Sequence, residues 1–106
     1  MTHTLDQRHI ASLRWSILRT AMVGGHLGVT DRMCLDVGRA EYLGVTLECI
    51  RNELDYLETR GLLVLERSDL RAWRAKLTRG GRDVVDYEVP AEAGITRPPR
   101  LADGEG

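Results

Sequence analysis

No apolar run in this chain approaches the roughly eighteen residues needed to span a bilayer, so membrane insertion is not expected. Nor is there a surplus of charge. Fifteen Lys and Arg residues stand against sixteen Asp and Glu, a formal net charge of −1. This excludes a globally basic coat for nucleic acid, and any attraction to phosphate must come from an uneven distribution of charge. Lysine is nearly absent: Lys76 is the one lysine among the fifteen basic residues. That bias fits an arginine-favouring genome as well as selection for bidentate contacts. Cysteine is scarce too. Cys34 and Cys49 lie fifteen residues apart with no CxxC spacing, and the N-terminal residues do not resemble a secretory signal. Free thiols in a reducing cytoplasm are the expectation.

Catalytic signatures are also missing. His3, His9 and His26 have no spacing to one another or to the cysteines that matches a zinc site, and Ser12, Ser16 and Ser68 sit in no nucleophile motif. Gly24-Gly25 and Gly80-Gly81 are not followed by Lys-Ser or Lys-Thr, so neither is a phosphate loop. The expectation is a chain that is not an enzyme and carries no cofactor or metal. Cys34 reads as a small buried hydrophobe.

What is present is the composition of one modest folded domain, with 106 residues, 42% of them apolar and 29% charged. From Leu5 to about Val23, Ile10, Leu13, Ile17, Leu18 and Ala21 recur at helical spacing, and Gly24-Gly25 ends the run. Trp15 and Met22 form a second apolar stripe, read as a wide core face or as a contact for a partner chain. Leu27 and Val29 fit a short strand. Thr30 then caps a second helix that reaches about Tyr42, with Asp31 at its positive end and Met33, Cys34 and Val37 expected in the core. Ala40 or Leu43 would close that turn, and Gly44 would supply a positive φ at the corner.

A third helix, 46–60, is capped by Thr46, buries Ile50, Leu54 and Leu57, and stops at Gly61. Leu62 to Glu66 reads as a strand, Arg67 to Leu70 as a turn, and Ala72 to Leu77 as the returning strand, with Trp73, Ala75 and Leu77 on one face. Thr78 caps a short last helix carrying Val84, Val85 and Tyr87, weakened by Gly80-Gly81. This order predicts a mainly α fold with a small β-hairpin, a winged helix-turn-helix over residues 1–87. Residues 88–106, with Pro90, Pro98 and Pro99, predict an extended, partly disordered tail, which Ile95 and Leu101 could dock.

The run NELDYLETRGLLVLE, the segment AWRAKLTRGGRDVVDYEVP and the tail GITRPP resemble the small winged-helix proteins of Mu-like transposable phages and prophages, often labelled ArsR-like regulators. The likeness covers Arg14 to Pro98, and GITRP at Gly94 to Pro98 is its narrowest part. The resemblance implies a phage-encoded regulator in the bacterial host cytoplasm. It implies no metal sensing, since the third helix has Cys49 alone where metal sensors carry clustered ligands.

In such a fold the third helix offers polar residues to base edges, here Thr46, Glu48, Arg51, Asn52 and Asp55. Arg51 matches guanine and Asn52 adenine by donor and acceptor pattern. The helix is nonetheless acidic, with Glu48, Glu53, Asp55 and Glu58 against Arg51 and Arg60, a net of −2. The stretch from Leu62 to Arg82 has the opposite balance. Arg67, Arg71, Arg74, Lys76, Arg79 and Arg82 oppose Glu66 and Asp69, a net of +4, and strand alternation points Arg74 and Lys76 outward together. These basic residues either meet phosphate or pair with the acids of the third helix.

Two functions follow. The first is a DNA-binding transcriptional regulator, acting as a homodimer on double-stranded DNA, with the third helix in the major groove and the wing on the backbone. The second is a protein-interaction module that grips a phage or host protein through the acidic helix or the Trp15 and Met22 stripe, without reading DNA.

Overall fold

Asp6 starts the first helix: its carboxylate accepts the His9 amide, and α1 (Gln7–Gly24) follows. The computed structural model describes residues 6–100, so His3, Leu5 and Leu101 lie outside the described residues. After α1 a 3-10 turn, Gly25–Leu27, leads to β1 (Val29–Thr30), α2 (Asp31–Glu41), α3 (Leu47–Thr59), β2 (Leu63–Glu66), β3 (Arg74–Leu77) and α4 (Arg79–Val85). This is the winged helix-turn-helix expected, mainly helical with one small antiparallel sheet in the order β1-β3-β2. Among the described residues no helix is long and apolar enough to cross a membrane.

Hydroxyl caps set the helix starts. Thr30 accepts the Met33 amide, Thr46 the Cys49 amide and Thr78 the Gly81 amide, each at 3.0 to 3.1 Å. Leu13, Ile17 and Leu18 of α1 pack with Ile50, Leu54 and Leu57 of α3 and with Leu63 and Ala75 of the sheet in one core. Register Val29↔Ala75 and Leu65↔Ala75 places Ala75 at the centre of that sheet, with its small side chain against the helices.

Three expectations about the helix-turn-helix are corrected. Leu27 belongs to the 3-10 turn and is exposed, so the first strand is Val29–Thr30 alone. In α2 the buried positions are Asp31, Cys34, Leu35 and Gly38, while Met33, Val37 and Leu43 are exposed. The helix is rotated from the expected phase because Gly38 faces inward: a Cβ there would come within 3.1 Å of Leu13 and 3.2 Å of Val45. Gly44 does not take a positive φ. That role falls to Gly25, Gly28 and Gly61.

Gly81 is a close-approach residue. Any Cβ on it would strike the Leu62 carbonyl, so Gly81, one of the two glycines that weaken α4 locally, is what lets α4 lie against the start of the wing. Beyond α4, Tyr87 turns the chain back with φ 62, while its ring meets Trp15 edge-on at 6.0 Å and its hydroxyl donates to the Pro98 carbonyl at 2.7 Å.

The tail then runs across the domain. Ile95 is buried, the Thr96 amide donates to the Ala11 carbonyl at 3.1 Å, and Arg97 donates to the carbonyls of Val84 and Val89 at 2.8 Å each. Arg14 donates to the Gly94 carbonyl at 2.9 Å. The GITRP segment is thus a strap whose residues contact α1, the end of α4 and the chain that follows it.

Candidate nucleic-acid interface

The exposed side of α3 follows from its buried side. With Ile50, Leu54 and Leu57 inward, Glu48 and Asn52 stand one turn apart in solvent, and Thr46 is exposed at the helix start. The wing flanks this face, and its strands pair Val64↔Lys76 and Glu66↔Arg74 with Arg74 and Lys76 exposed. Arg71 and Arg74 open on a shallow recess of about 350 Å³ that Thr30 and Ser68 also line. Leu70, at the tip of the hairpin, is 94% exposed.

Folding changes the electrostatics of α3. Glu53, buried, receives Arg14 from α1 at 2.7 Å. Asp55 and Glu58 both receive the Arg67 guanidinium from the wing at 2.6 Å. Those hydrogen bonds, with Arg67 first among the causes, hold the Glu58 carboxyl below the ordinary carboxylate value and raise the arginine further. Among the described residues Glu48 is then the one acid of α3 outside an ion pair. The helix's own bases are paired as well, Arg51 with Asp31 and Arg60 with Glu92, so pairing leaves the net of −2 unchanged and alters which of its charges are free.

The same pairs change the roles open to individual residues. Asp55 and Arg67, taken from the sequence as a base contact and a phosphate contact, face each other. Arg51 does not project freely either: its Nε donates to Asp31 at 2.8 Å, and its guanidinium carbon lies 4.8 Å from the centre of the Trp73 ring. Thr46, Glu48, Asn52, Arg71, Arg74 and Lys76 remain exposed, although Arg74 also donates to the Leu27 carbonyl at 3.0 Å. Trp73 lies just outside β3, half-buried, with its indole nitrogen donating to the Ser68 carbonyl at 3.2 Å.

Asp31, fully buried, and the Arg14–Glu53 pair escape sequence reading. Asp31, an acid in the first turn of a helix, reads as a dipole partner in solvent, and nothing in the local pattern marks Arg14 on α1 as the complement of Glu53 across 39 residues. A second cluster lies behind α3, where Glu92 of the strap accepts hydrogen bonds from Tyr56 and, at 2.8 Å, from Arg60. Arg14 lies 3.5 Å over the Tyr56 ring. Burial pushes the Glu92 carboxyl up, but the Tyr56 and Arg60 hydrogen bonds outweigh it and leave it below 4.5. Burial, reinforced by Asp31, pushes the Cys34 thiol up to about 12. Among the described residues no three His, Cys, Asp or Glu side chains gather where a metal could be held.

No protein-family model matches the chain, and no curated protein matches it. Solved structures do share its fold. A MarR-family transcriptional regulator from Rhodococcus sp. RHA1 superposes with a TM-score of 0.56 at 28% identity, over 71% of this chain and 49% of that one. The chain therefore spans about half the length of that regulator. A candidate DNA-binding protein from Ralstonia eutropha JMP134 gives a TM-score of 0.59 at 15% identity, over 82% of this chain and 100% of that one. BpsR from Bordetella bronchiseptica, whose DNA binding is regulated by 6-hydroxynicotinic acid, gives 0.56 at 21% identity, over 79% of this chain and 65% of that one. At these identities the last two establish the fold alone. What the three are described by is regulation or DNA binding, and none is described by a catalytic activity.

Proposed function

We propose that the protein is a DNA-binding transcriptional regulator that lays α3 in the major groove and its basic wing on the phosphate backbone. The observation that carries this reading is the basic wing, on which Arg71, Arg74 and Lys76 remain exposed, while Arg14 and Arg67 hold three of the four acids of α3 in ion pairs. Thr46, Glu48 and Asn52 are exposed polar residues for base edges, and phosphate contacts fall to the wing. The likeness to a MarR-family regulator supports the same assignment. The protein-interaction alternative would use α3, whose Asp55 and Glu58 are tied to Arg67, or the Trp15 and Met22 stripe, which lines a groove. The resemblance to Mu-like phage proteins adds a phage-encoded regulator in the bacterial host cytoplasm to the proposal.

The reading includes a homodimer. Trp15, Met22, Val23 and Tyr87 line a groove of about 710 Å³ between α1, the end of α4 and the tail. The groove carries Arg19 and Arg100 as well as Asp86, and Arg19 also borders a second recess beside Glu41. A two-fold interface needs a patch that complements itself, and an apolar floor flanked by both signs of charge supplies the groups for that. Light scattering on the purified chain should give twice the monomer mass, and Val23→Glu should return it to the monomer. A monomeric parent would remove the dimer from the reading.

The test of the main proposal is fluorescence anisotropy against random duplex DNA and against fragments of the source genome, at two salt concentrations. Tight, salt-sensitive binding that prefers particular fragments is expected. Absence of binding at low salt would sink the assignment.

A further inference from the structure

Arg51 is held from one side. Its Nε donates to Asp31 Oδ2 at 2.8 Å, and its guanidinium lies over Trp73. The Asp31 amide in turn donates to the Trp73 carbonyl at 2.9 Å. The residues come from α2, α3 and the chain leading into β3. Asp31 is fully buried, and among the described residues its Oδ1 has no hydrogen-bond partner. Arg51 is therefore the cation that compensates this carboxylate, and swinging the arginine away would strand a buried charge. The two terminal nitrogens, Nη1 and Nη2, have no hydrogen-bond partner among the described residues, and the side chain is 30% exposed.

We infer that Asp31 and Trp73 are positioning residues that hold Arg51 with its Nη1–Nη2 edge turned to the DNA, as a preset reader of one guanine. This rests on the DNA-binding reading above. An arginine presenting two parallel N–H groups matches the O6 and N7 acceptors of guanine in the major groove. A side chain already fixed by an ion pair and an aromatic face loses little rotamer freedom on binding. The Asp31–Arg51 pair is neutral overall, so it adds base discrimination with little effect on the salt dependence, which stays with Arg71, Arg74 and Lys76. Lysine cannot replace Arg51, because one ammonium cannot satisfy the buried carboxylate and present a two-donor edge together.

The experiment selects a preferred site from a random-sequence duplex pool with the parent protein, then measures affinity for every single-base change in it. Variants Arg51→Lys, Asp31→Ala and Trp73→Leu are compared, with Asp31→Asn as the conservative exchange. Each of the first three is expected to lose about tenfold to a hundredfold of discrimination at the same G·C pair, with the salt slope unchanged in the charge-conserving Arg51→Lys and Trp73→Leu. Asp31→Asn should retain part of it, and Asp31→Ala should add nothing in an Arg51→Ala background. Uniform loss of affinity at all positions, or full discrimination in Arg51→Lys, would overturn the inference while leaving DNA binding intact. Should Asp31→Ala fail to fold, Arg51→Lys and Trp73→Leu still decide the matter. A parent protein that selects no sequence overturns both readings.

Discussion

Arg67 on the wing donates to Asp55 on α3 at 2.6 Å through the same nitrogen that reaches Glu58. One arginine thus fastens the hairpin to α3 and bridges two of its carboxylates, compensating one of their two charges. Arg67→Ala is expected to weaken DNA binding severalfold at low salt, because both carboxylates are returned to the face that meets phosphate. Adding Asp55→Asn and Glu58→Gln to the same variant should recover most of the loss. If anisotropy titrations show no recovery, the effect of Arg67 is a direct contact and not neutralisation.

Arg74 and Lys76 are expected to contribute affinity without sequence preference. Replacing both with Glu should weaken binding to every duplex and lower the slope of log K against log salt by about 2, near 0.9 for each lost phosphate contact. A slope that stays at the parent value would move the backbone contact elsewhere on the wing.

The strap is expected to be part of the folded unit. Ile95→Ala removes a buried side chain and should cost about 2–4 kcal/mol in urea unfolding. The strap should also loosen in acid. The Glu92 carboxyl titrates below its ordinary 4.5 in the folded chain, so its contribution is full above that value and is lost as pH falls through the lower folded one. Protection of the Thr96 amide, taken relative to the intrinsic exchange rate at each pH, should fall across that window, and Glu92→Gln should abolish this pH dependence of the protection. Rapid exchange at neutral pH would mean that the strap is not held.

Cys34 should resist alkylation. Its thiol is buried and its pKa is pushed up to about 12, leaving almost no thiolate at neutral pH. Cys49 is half-buried and raised as well, by burial and then by Glu53, so it should react slowly but detectably. Mass spectrometry after iodoacetamide treatment should find one modification at most in the folded protein and two in denaturant. Two in the native state would contradict the packing of α2.

Local chemistry was legible in the chain from the outset. Thr30, Thr46 and Thr78 cap helices because each hydroxyl meets an amide three residues ahead, and Gly61 ends α3 at φ 79 because that backbone geometry favours glycine. Alternation in β3 put Arg74 and Lys76 on the outside for the same local reason. The phase of α2 was not legible, because the helix is short and apolar on two sides, and the choice between Met33 or Val37 and Leu35 depends on what packs against Gly38.

What the amino-acid sequence determined by itself is therefore the order of elements, their caps and the winged-helix outline, since these depend on neighbours within one turn or one strand. Tertiary structure alone decided which charges survive at the surface. Glu53 is compensated by an arginine 39 residues away, Asp31 by one 20 residues away, and the strap reaches Arg14 across 80 residues. A count of acids along a helix cannot register such partners, because ion pairing depends on distance in space and a sequence reports distance only along the chain.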